Sequence, residues 1–568
     1  MKPGQYTQLF SDYRALLPYS LLGVLAGIAS AVVIMGFDLL ITTTSSLWLG
    51  EAGAESFENL GLWQRFALPV AGAMVLGIIF SALRPEDREV GIVHVLSRMD
   101  SHYGHLPVRN ALVQFFGGVI ALATGQSGGR EGPGVHLGAA INSTIAYRLK
   151  LPNNSQRILI ACGTAGSIAA AFNAPLAGII FAMEVIVAEY TVIGFTPVIL
   201  AAVSATTIRR VFDNSATFVI PPVELTSLLE LPFILLLGIC VGTVVALFIY
   251  LLKRSLPLSR YSVLLRFTLA GLITGSLAIF LPEVMGIGYD SLNRALLGEL
   301  APTILFTIIA CKLIATACSV GLGLPVGLIG PNLLIGGCIG GLLGYWGGSL
   351  FPELSSDTSL YVVIGMGAAM AAVLNAPLAA ILAVVELTQN VLVVFPSMLA
   401  IIAATLTTTL VFKQRSAHQT VLRYLQREHN EDPINMMLHQ TNVTQVMDRS
   451  LLSVPHIIEH TELGELELAK WCLLQREGEP LYLVSGEELK PIIAGWQSEH
   501  ACDITEQDLR RWSFASLTPR ATLREALDIM HQQTVEAIII SDSLAPAEKA
   551  FRGVITRDTI AQYYLGKF

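Results

Sequence analysis

The sequence predicts an all-α polytopic membrane domain, built from two repeats with broken helices and followed by a smaller soluble α/β domain. Three observations predict it. Of the 568 residues, 53% are hydrophobic and only 14% charged, a balance foreign to a water-soluble globule of this size. Charge-free runs of spanning length recur as far as Phe412 and stop at Lys413. A short segment of the first half returns in the second almost letter for letter.

Taken in order, Met1 to Leu17 mixes Lys2, Asp12 and Arg14 with scattered apolar residues, which reads as a short interfacial helix and not as a cleavable signal peptide. Ser20 to Phe37 and Ala67 to Leu83 are weaker candidate spans. Stronger runs follow at Ile158 to Met183, Thr191 to Ile208, Leu313 to Pro352, Thr358 to Val385 and Leu387 to Phe412, each near or above the ~20 residues that cross a hydrocarbon core. Basic residues gather in short connections, Arg209-Arg210 and Lys253-Arg254, and at Lys413 and Arg415 after the last run, which argues for a cytoplasmic tail.

The seven cysteines (Cys162, Cys240, Cys311, Cys318, Cys338, Cys472, Cys502) lie mostly in hydrophobic segments without paired ligand spacing. Neither a disulfide framework nor a zinc site is indicated. A net charge of −8 fits no nucleic-acid partner, and no nucleophile elbow or phosphate loop suggests an enzyme.

The repeat pairs Asn173-Ala174-Pro175-Leu176-Ala177 with Asn375-Ala376-Pro377-Leu378-Ala379, and Glu184 with Glu386, at an offset of 202 positions. Upstream, Gly129-Arg130-Glu131-Gly132-Pro133 and Gly327-Leu328-Ile329-Gly330-Pro331 are glycine turns ending in proline, 198 positions apart. Duplicated halves with Gly/Pro-interrupted hydrophobic segments mark a transporter-type fold whose broken helices meet near the bilayer midplane. Such breaks suit an anion, because the first N–H groups of a helix are unpaired and carry roughly half an elementary charge. Glycine permits close backbone approach, and proline suits a first turn where no N–H is needed. Glu131, a carboxylate inside a lipid-adapted stretch, is either a helix-start stabiliser or the working part of an ion pathway.

At these residues the sequence resembles the CLC family of chloride channels and proton-coupled chloride exchangers, whose hallmark is the GREGP turn found here at Gly129 to Pro133. With the second GxxxP turn and the duplicated Asn-Ala-Pro-Leu-Ala segments, the resemblance covers roughly residues 1 to 420. It implies two inverted halves with re-entrant helices and a homodimer with one pore per subunit. It also implies a gate role for Glu131, which would block the anion path when ionised and swing aside when protonated. The anion-binding residues implied are Val90, Gly91, Ile92, Gly129, Arg130, Gly132, Gly327, Leu328, Ile329 and His418.

Three positions depart from the family pattern. Val90 stands where the chloride-contacting serine belongs, removing a hydroxyl donor and leaving the amides of Gly91 and Ile92 to serve the anion. His418 falls where a tyrosine closes the inner side of the site; its imidazole is read either as an anion donor that titrates near neutral pH or as a juxtamembrane residue facing the cytoplasm. Val185 replaces the internal proton-relay glutamate. Glu184 and Glu189 are nearby carboxylates, and Glu184 is read more readily as a structural group satisfied by helix starts than as a relay.

From about Asn430 the composition turns soluble, enough for one domain. Thr522 and Glu525 form a capping box ahead of a helical pattern, Glu536 to Ile540 reads as a buried strand, and a strand and helix follow in Gly553 to Ile560. This order resembles a cystathionine-β-synthase-type (CBS) module, with a degenerate earlier copy over Val443 to Trp496 and Leu481 to Val484 as its strand. Modules of this kind often bind adenine nucleotides, for which Thr556 and Asp558 are the contacts implied here; Thr559 replaces the ribose-binding aspartate, so a tail that is structural or stabilises a dimer is an equal reading, and no other cofactor is expected.

The expected organisation is therefore a transport domain over 1–420, a linker over 421–439 and a cytoplasmic CBS-pair-like domain over 440–568, in a cell membrane with both termini cytoplasmic. The leading expectation is a gated, channel-like passive chloride conductance. A proton-coupled chloride antiporter and a non-conducting nucleotide receptor are the alternatives.

Overall fold

The computed structural model describes residues 16–50, 56–102, 104–188, 192–213, 218–353, 355–427, 433–458, 469–476, 479–495, 502–504, 507–542 and 551–564. The interfacial helix expected before Leu17 and the carboxylate Glu189 lie outside the described residues. The chain divides into two compact units: a membrane unit over Leu16–Arg148 and Arg157–His429, and a second unit that joins Leu149–Gln156 to Asn430–Phe568.

Eight helices make the first half of the membrane unit: α1 (Leu16–Leu49), α2 (Leu62–Ala82), α3 (Gly91–Ser101), α4 (Val108–Ala123), α5 (Glu131–Arg148), α6 (Asn153–Phe172), α7 (Pro175–Phe181) and α8 (Val192–Phe212). Eight more repeat them in order: α9 (Leu231–Ser255), α10 (Val263–Phe280), α11 (Tyr289–Leu296), α12 (Pro302–Gly321), α13 (Ile329–Leu350), α14 (Thr358–Leu374), α15 (Pro377–Thr388) and α16 (Val394–Leu406). A short helix, α17 (Ala417–Tyr424), closes the unit. Among the described residues, eight helical stretches are long and apolar enough to cross a membrane.

Glycine sets the closest helix crossings, and the repeat shows in them. A Cβ on Gly138 of α5 would strike the carbonyl of Gly163 of α6, and the reverse holds; Gly336 of α13 and Gly365 of α14 stand in the same relation. Without side chains the backbones approach closely, which is how membrane helices gain packing when lipid gives no hydrophobic drive between them.

Three of the expected runs are each two helices. Ile158 to Met183 breaks into α6 and α7, Thr358 to Val385 into α14 and α15, and Leu313 to Pro352 into α12 and α13. In the first two, Asn173 and Asn375 turn left-handed at φ 55° and 57°. The next amide then reaches back five residues, Ala174 N to Ala169 O at 3.3 Å and Ala376 N to Ala371 O at 3.2 Å, closing each helix end. Pro175 and Pro377 start the following helix without losing a hydrogen bond. Two spans lie outside the runs singled out from the sequence. α10 carries Arg266, whereas the charge-free stretch from Leu231 to Leu252 was itself enough to find α9.

The tail holds α18 (Pro433–Gln440), α19 (Val443–Val446), β1 (Leu451–Pro455), β2 (Ile457–Ile458), β3 (Trp471–Arg476), β4 (Glu479–Ser485), α20 (Gly486–Gly495), β5 (Cys502–Asp503), β6 (Phe514–Leu517), α21 (Leu523–Gln532), β7 (Ala537–Ser541), β8 (Phe551–Thr556) and α22 (Arg557–Tyr564). Its two three-stranded sheets share one plan. β1 runs parallel to β3 and β3 antiparallel to β4; β6 runs parallel to β7 and β7 antiparallel to β8. Leu473, Leu483, Ile539 and Val554 form one buried cluster drawn from both sheets. The capping box at Thr522 and Glu525, the buried strand β7 and the strand–helix pair β8–α22 fall where the sequence placed them. Glu525 also accepts from Asn153 Nδ2 at 2.8 Å, and the Asn153 amide donates to Arg520 O at 3.0 Å, so the 149–156 segment is bound into this unit.

Candidate functional site

The two glycine turns are paired with each other. Gly129 N donates to Gly327 O and Gly327 N to Gly129 O, both at 2.7 Å, an antiparallel bridge between equivalent points of the two halves. Only glycine allows it. A Cβ on Gly132 would lie 2.8 Å from Gly327 Cα, and one on Gly327 would lie 2.7 Å from Gly132 N. The bridge brings the starts of α5 and α13 together, so the unpaired amides of two helices face one small space.

Glu131, the first residue of α5, fills that space and is buried. Its Oε2 accepts the amide of Gly330 at 3.1 Å and its Oε1 accepts the hydroxyl of Tyr289. Gly330 is needed there, since a Cβ would sit 3.0 Å from Glu131 Oε1 and 2.5 Å from Ile287 Cγ2. Leu328 and Ile329 are buried at the mouth of α13.

Tyr289 was not found from the sequence. It follows Gly288, whose φ of 96° only glycine adopts readily, and it begins α11. Lys312 fixes the preceding segment: its buried ammonium donates to the carbonyls of Val284, Met285 and Gly286 at 3.0, 3.3 and 2.8 Å. The signal was the Gly286-Ile287-Gly288-Tyr289 run, a pair of glycines ahead of a short amphipathic helix.

Arg130 turns away from the glycine turn. It donates to Asp38 at 3.1 Å, Asp38 also receives Arg209 at 3.0 Å, and the Arg130 guanidinium lies over the Tyr289 ring at 5.4 Å. Its charge is thus matched by a carboxylate, and its part is to hold Tyr289 and α1 around the site.

At the start of α3, Val90 is extended and Gly91 has φ 78°. The Gly91 amide donates to Gln114 Oε1 at 2.7 Å, while Gln114 Nε2 donates to Pro325 O at 3.0 Å. Gly91 is therefore engaged by a side chain, and Ile92 is among the first-turn residues of α3 whose amides helix geometry leaves without an intrahelical acceptor. α3 is tied to α5 by a buried imidazole pair, His94 Nδ1 to His136 Nε2 at 2.8 Å. Glu89 is 3.8 Å from His94 and bound by Arg427 at 2.9 and 2.5 Å.

His418 lies on α17, beyond the last span, and α17 packs against α3. Among the described residues its Nδ1 has no hydrogen-bond partner. Burial pushes its pKa down to about 4, which favours a neutral imidazole across the physiological range.

Glu184 and Val185 lie in a π-type turn, Ala182–Val187, continuing α7. Glu184 reaches across to the other half: Leu378 N and Ala379 N donate to its oxygens at 3.2 and 2.8 Å. Glu386 returns the arrangement, accepting Leu176 N and Ala177 N, both at 2.8 Å. Each carboxylate caps the other repeat's broken helix. Val185 offers no proton acceptor.

In the tail, the Thr556 hydroxyl pairs with that of Thr559 at 2.8 Å and accepts the Thr559 amide at 3.2 Å, while Asp558 is exposed. Thr556 is thereby spent on the start of α22.

Residues 72–409 match the family model described as voltage gated chloride channel. The chain is 33% identical to a putative chloride channel protein ClcB-like of Ralstonia nicotianae, over 61% of this chain and 82% of that protein. It is 32% identical to the H(+)/Cl(-) exchange transporter ClcA of Vibrio cholerae, over 74% of this chain and 91% of that protein. Among solved structures, a slow cyanobacterial Cl-/H+ antiporter aligns with a TM-score of 0.63 at 22% identity, over 73% of this chain and 99% of that one. A eukaryotic CLC transporter aligns with a TM-score of 0.59 at 19% identity, over 96% of this chain and 98% of that one. These last two likenesses establish the fold.

Proposed function

The chain belongs to the voltage-gated chloride channel (CLC) family, and from that premise we propose that it exchanges chloride for protons across its membrane, with Glu131 as the protonatable gate. Family membership makes it a multi-pass membrane protein that moves anions and is not an enzyme. Exchange is favoured over the passive conductance expected from Val185 because relatives at 32% identity, matched over most of their length, are named exchange transporters.

The observation that carries the gate reading is the seat of Glu131. An ionised carboxylate there is an anion held by donors from the opposite half, the Gly330 amide and the Tyr289 hydroxyl. Chloride needs the same donors, so the carboxylate and chloride compete for one position. Protonation removes the charge that holds Glu131 in place, frees the seat for an anion, and makes the same side chain the proton carrier.

The inner leg of the proton path does not need Glu184, whose two oxygens cap α15. For that leg we propose transient water in an apolar cavity lined by Ile168, Phe172, Phe181, Ile329, Leu333 and Met366. Water is poorly held in apolar cavities, so slow proton delivery and weak coupling are the expected outcome.

The reading extends to a homodimer with one pore per subunit, in a cell membrane with both termini cytoplasmic. The tail is proposed as a CBS-type pair on the strength of its two sheets of one plan. The engagement of Thr556 with Thr559 favours a structural role over binding of an adenine nucleotide.

The test is proton movement into sealed liposomes driven by a chloride gradient with the membrane potential clamped. Uphill proton transport that Glu131→Gln abolishes while chloride still passes is the expected result. Chloride flux without proton movement would return the protein to a passive channel, and no flux of either ion would point to a receptor.

A further inference from the structure

We propose that the Tyr289 hydroxyl is an anion ligand of the outer site, replacing the hydroxyl donor absent at Val90 and fixing the pH at which the gate opens. The proposal rests on the gate reading of Glu131.

Tyr289 is buried, and its ring is held on two sides, edge-on by Phe218 with centroids 4.9 Å apart and over its face by the Arg130 guanidinium at 5.4 Å. The backbone before it is fixed by Lys312. The hydroxyl is therefore aimed by packing, and it stays where it is when Glu131 leaves. A phenol O–H and an amide N–H that converge on a carboxylate form a donor pair for any small anion, because neither carries a charge that selects the carboxylate. Once Glu131 is protonated and displaced, the Gly330 amide and the Tyr289 hydroxyl remain as buried donors converging on the vacated position. Chloride is the anion the reaction supplies. At the start of α3, by contrast, the Val90 side chain has no donor and the Gly91 amide is taken by Gln114.

The same hydroxyl bears on the gate. It is one of the two donors that seat the Glu131 carboxylate, so its loss lets the side chain leave more readily at a given pH. The charged and titratable groups around the site are Arg130 on the turn itself, Asp38 of α1 and Arg209 of α8 paired with it, Lys312 of α12, and Glu283, which lies 3.8 Å from Arg294 of α11. Tyr289→Phe leaves all of these in place and keeps the ring in its packing.

The experiment measures chloride efflux from liposomes between pH 4.5 and 8 for the full chain, Tyr289→Phe and Glu131→Gln, and chloride binding by calorimetry for Glu131→Gln with and without Tyr289→Phe. The expected result is an upward shift of the half-activation pH in Tyr289→Phe by about one unit, and chloride binding about tenfold weaker in the double variant than in Glu131→Gln. An unshifted pH profile with unchanged chloride binding overturns the proposal while leaving the gate intact, provided Glu131→Gln flattens the profile. If Glu131→Gln leaves the pH response as it was, the gate reading and this proposal fall together.

Discussion

Glu184→Gln and Glu386→Gln are expected to lower stability by similar amounts and to leave proton coupling alone. In the structure each carboxylate uses both oxygens on the first amides of the opposite repeat's helix, at 3.2 and 2.8 Å for Glu184 and at 2.8 Å twice for Glu386. Glutamine keeps one acceptor and turns an NH2 group toward the other amide. One helix-start donor is then left without its partner, at about 1–3 kcal/mol. Loss of the negative charge at that terminus removes about 0.3–1 kcal/mol more. The sum is about 1.3–4 kcal/mol per site, so both variants should melt lower in detergent by a similar margin. Because the two carboxylates lock the same pair of helices, α7 and α15, the double variant is not expected to be additive. Coupling is read in liposomes as protons moved per chloride. A Glu184→Gln protein that melts like the original but moves chloride without protons would refute the capping argument and make Glu184 the relay.

Two further predictions concern titration. Burial holds His418 neutral, near pKa 4, so His418→Gln should leave the pH profile of chloride efflux in place between pH 5 and 8; a displaced profile would put the imidazole in the gating titration. In the tail, burial raises the Glu525 pKa against the opposing hydrogen bonds of Asn153 and Thr522. The folded state then binds that proton more tightly than the unfolded state, so stability falls as pH rises from the ordinary glutamate range through the raised value. Amide exchange across 523–532, corrected for intrinsic rates, should show less protection over that window, and Glu525→Gln should remove the slope.

Much of the membrane architecture is legible because lipid constrains sequence so strongly. Spans must be apolar over their length, and a helix broken in the membrane needs Gly, Pro or an Asn that turns left-handed. Asn173-Ala174-Pro175 and Asn375-Ala376-Pro377 therefore announce helix breaks as well as a repeat, and reading them as breaks would have split two of the long runs. Arg266 hid α10 because a charge-free criterion rejects a helix that carries one sheltered arginine. The capping box at Thr522 and Glu525 was legible because its chemistry is local, complete within four residues.

The candidate site was legible only in part. The sequence by itself determined the class of fold, the two turns and the position of Glu131, since each depends on residues adjacent in the chain. Only the tertiary structure decided that Tyr289, 158 positions away, donates to Glu131, that Gln114 occupies the Gly91 amide, and that Glu184 and Glu386 cap each other's repeat. The physical reason is that a buried polar group takes whichever partner the fold brings within about 3 Å. For Glu131, Glu184 and Glu386 that partner comes from the other half, at a separation no local pattern records.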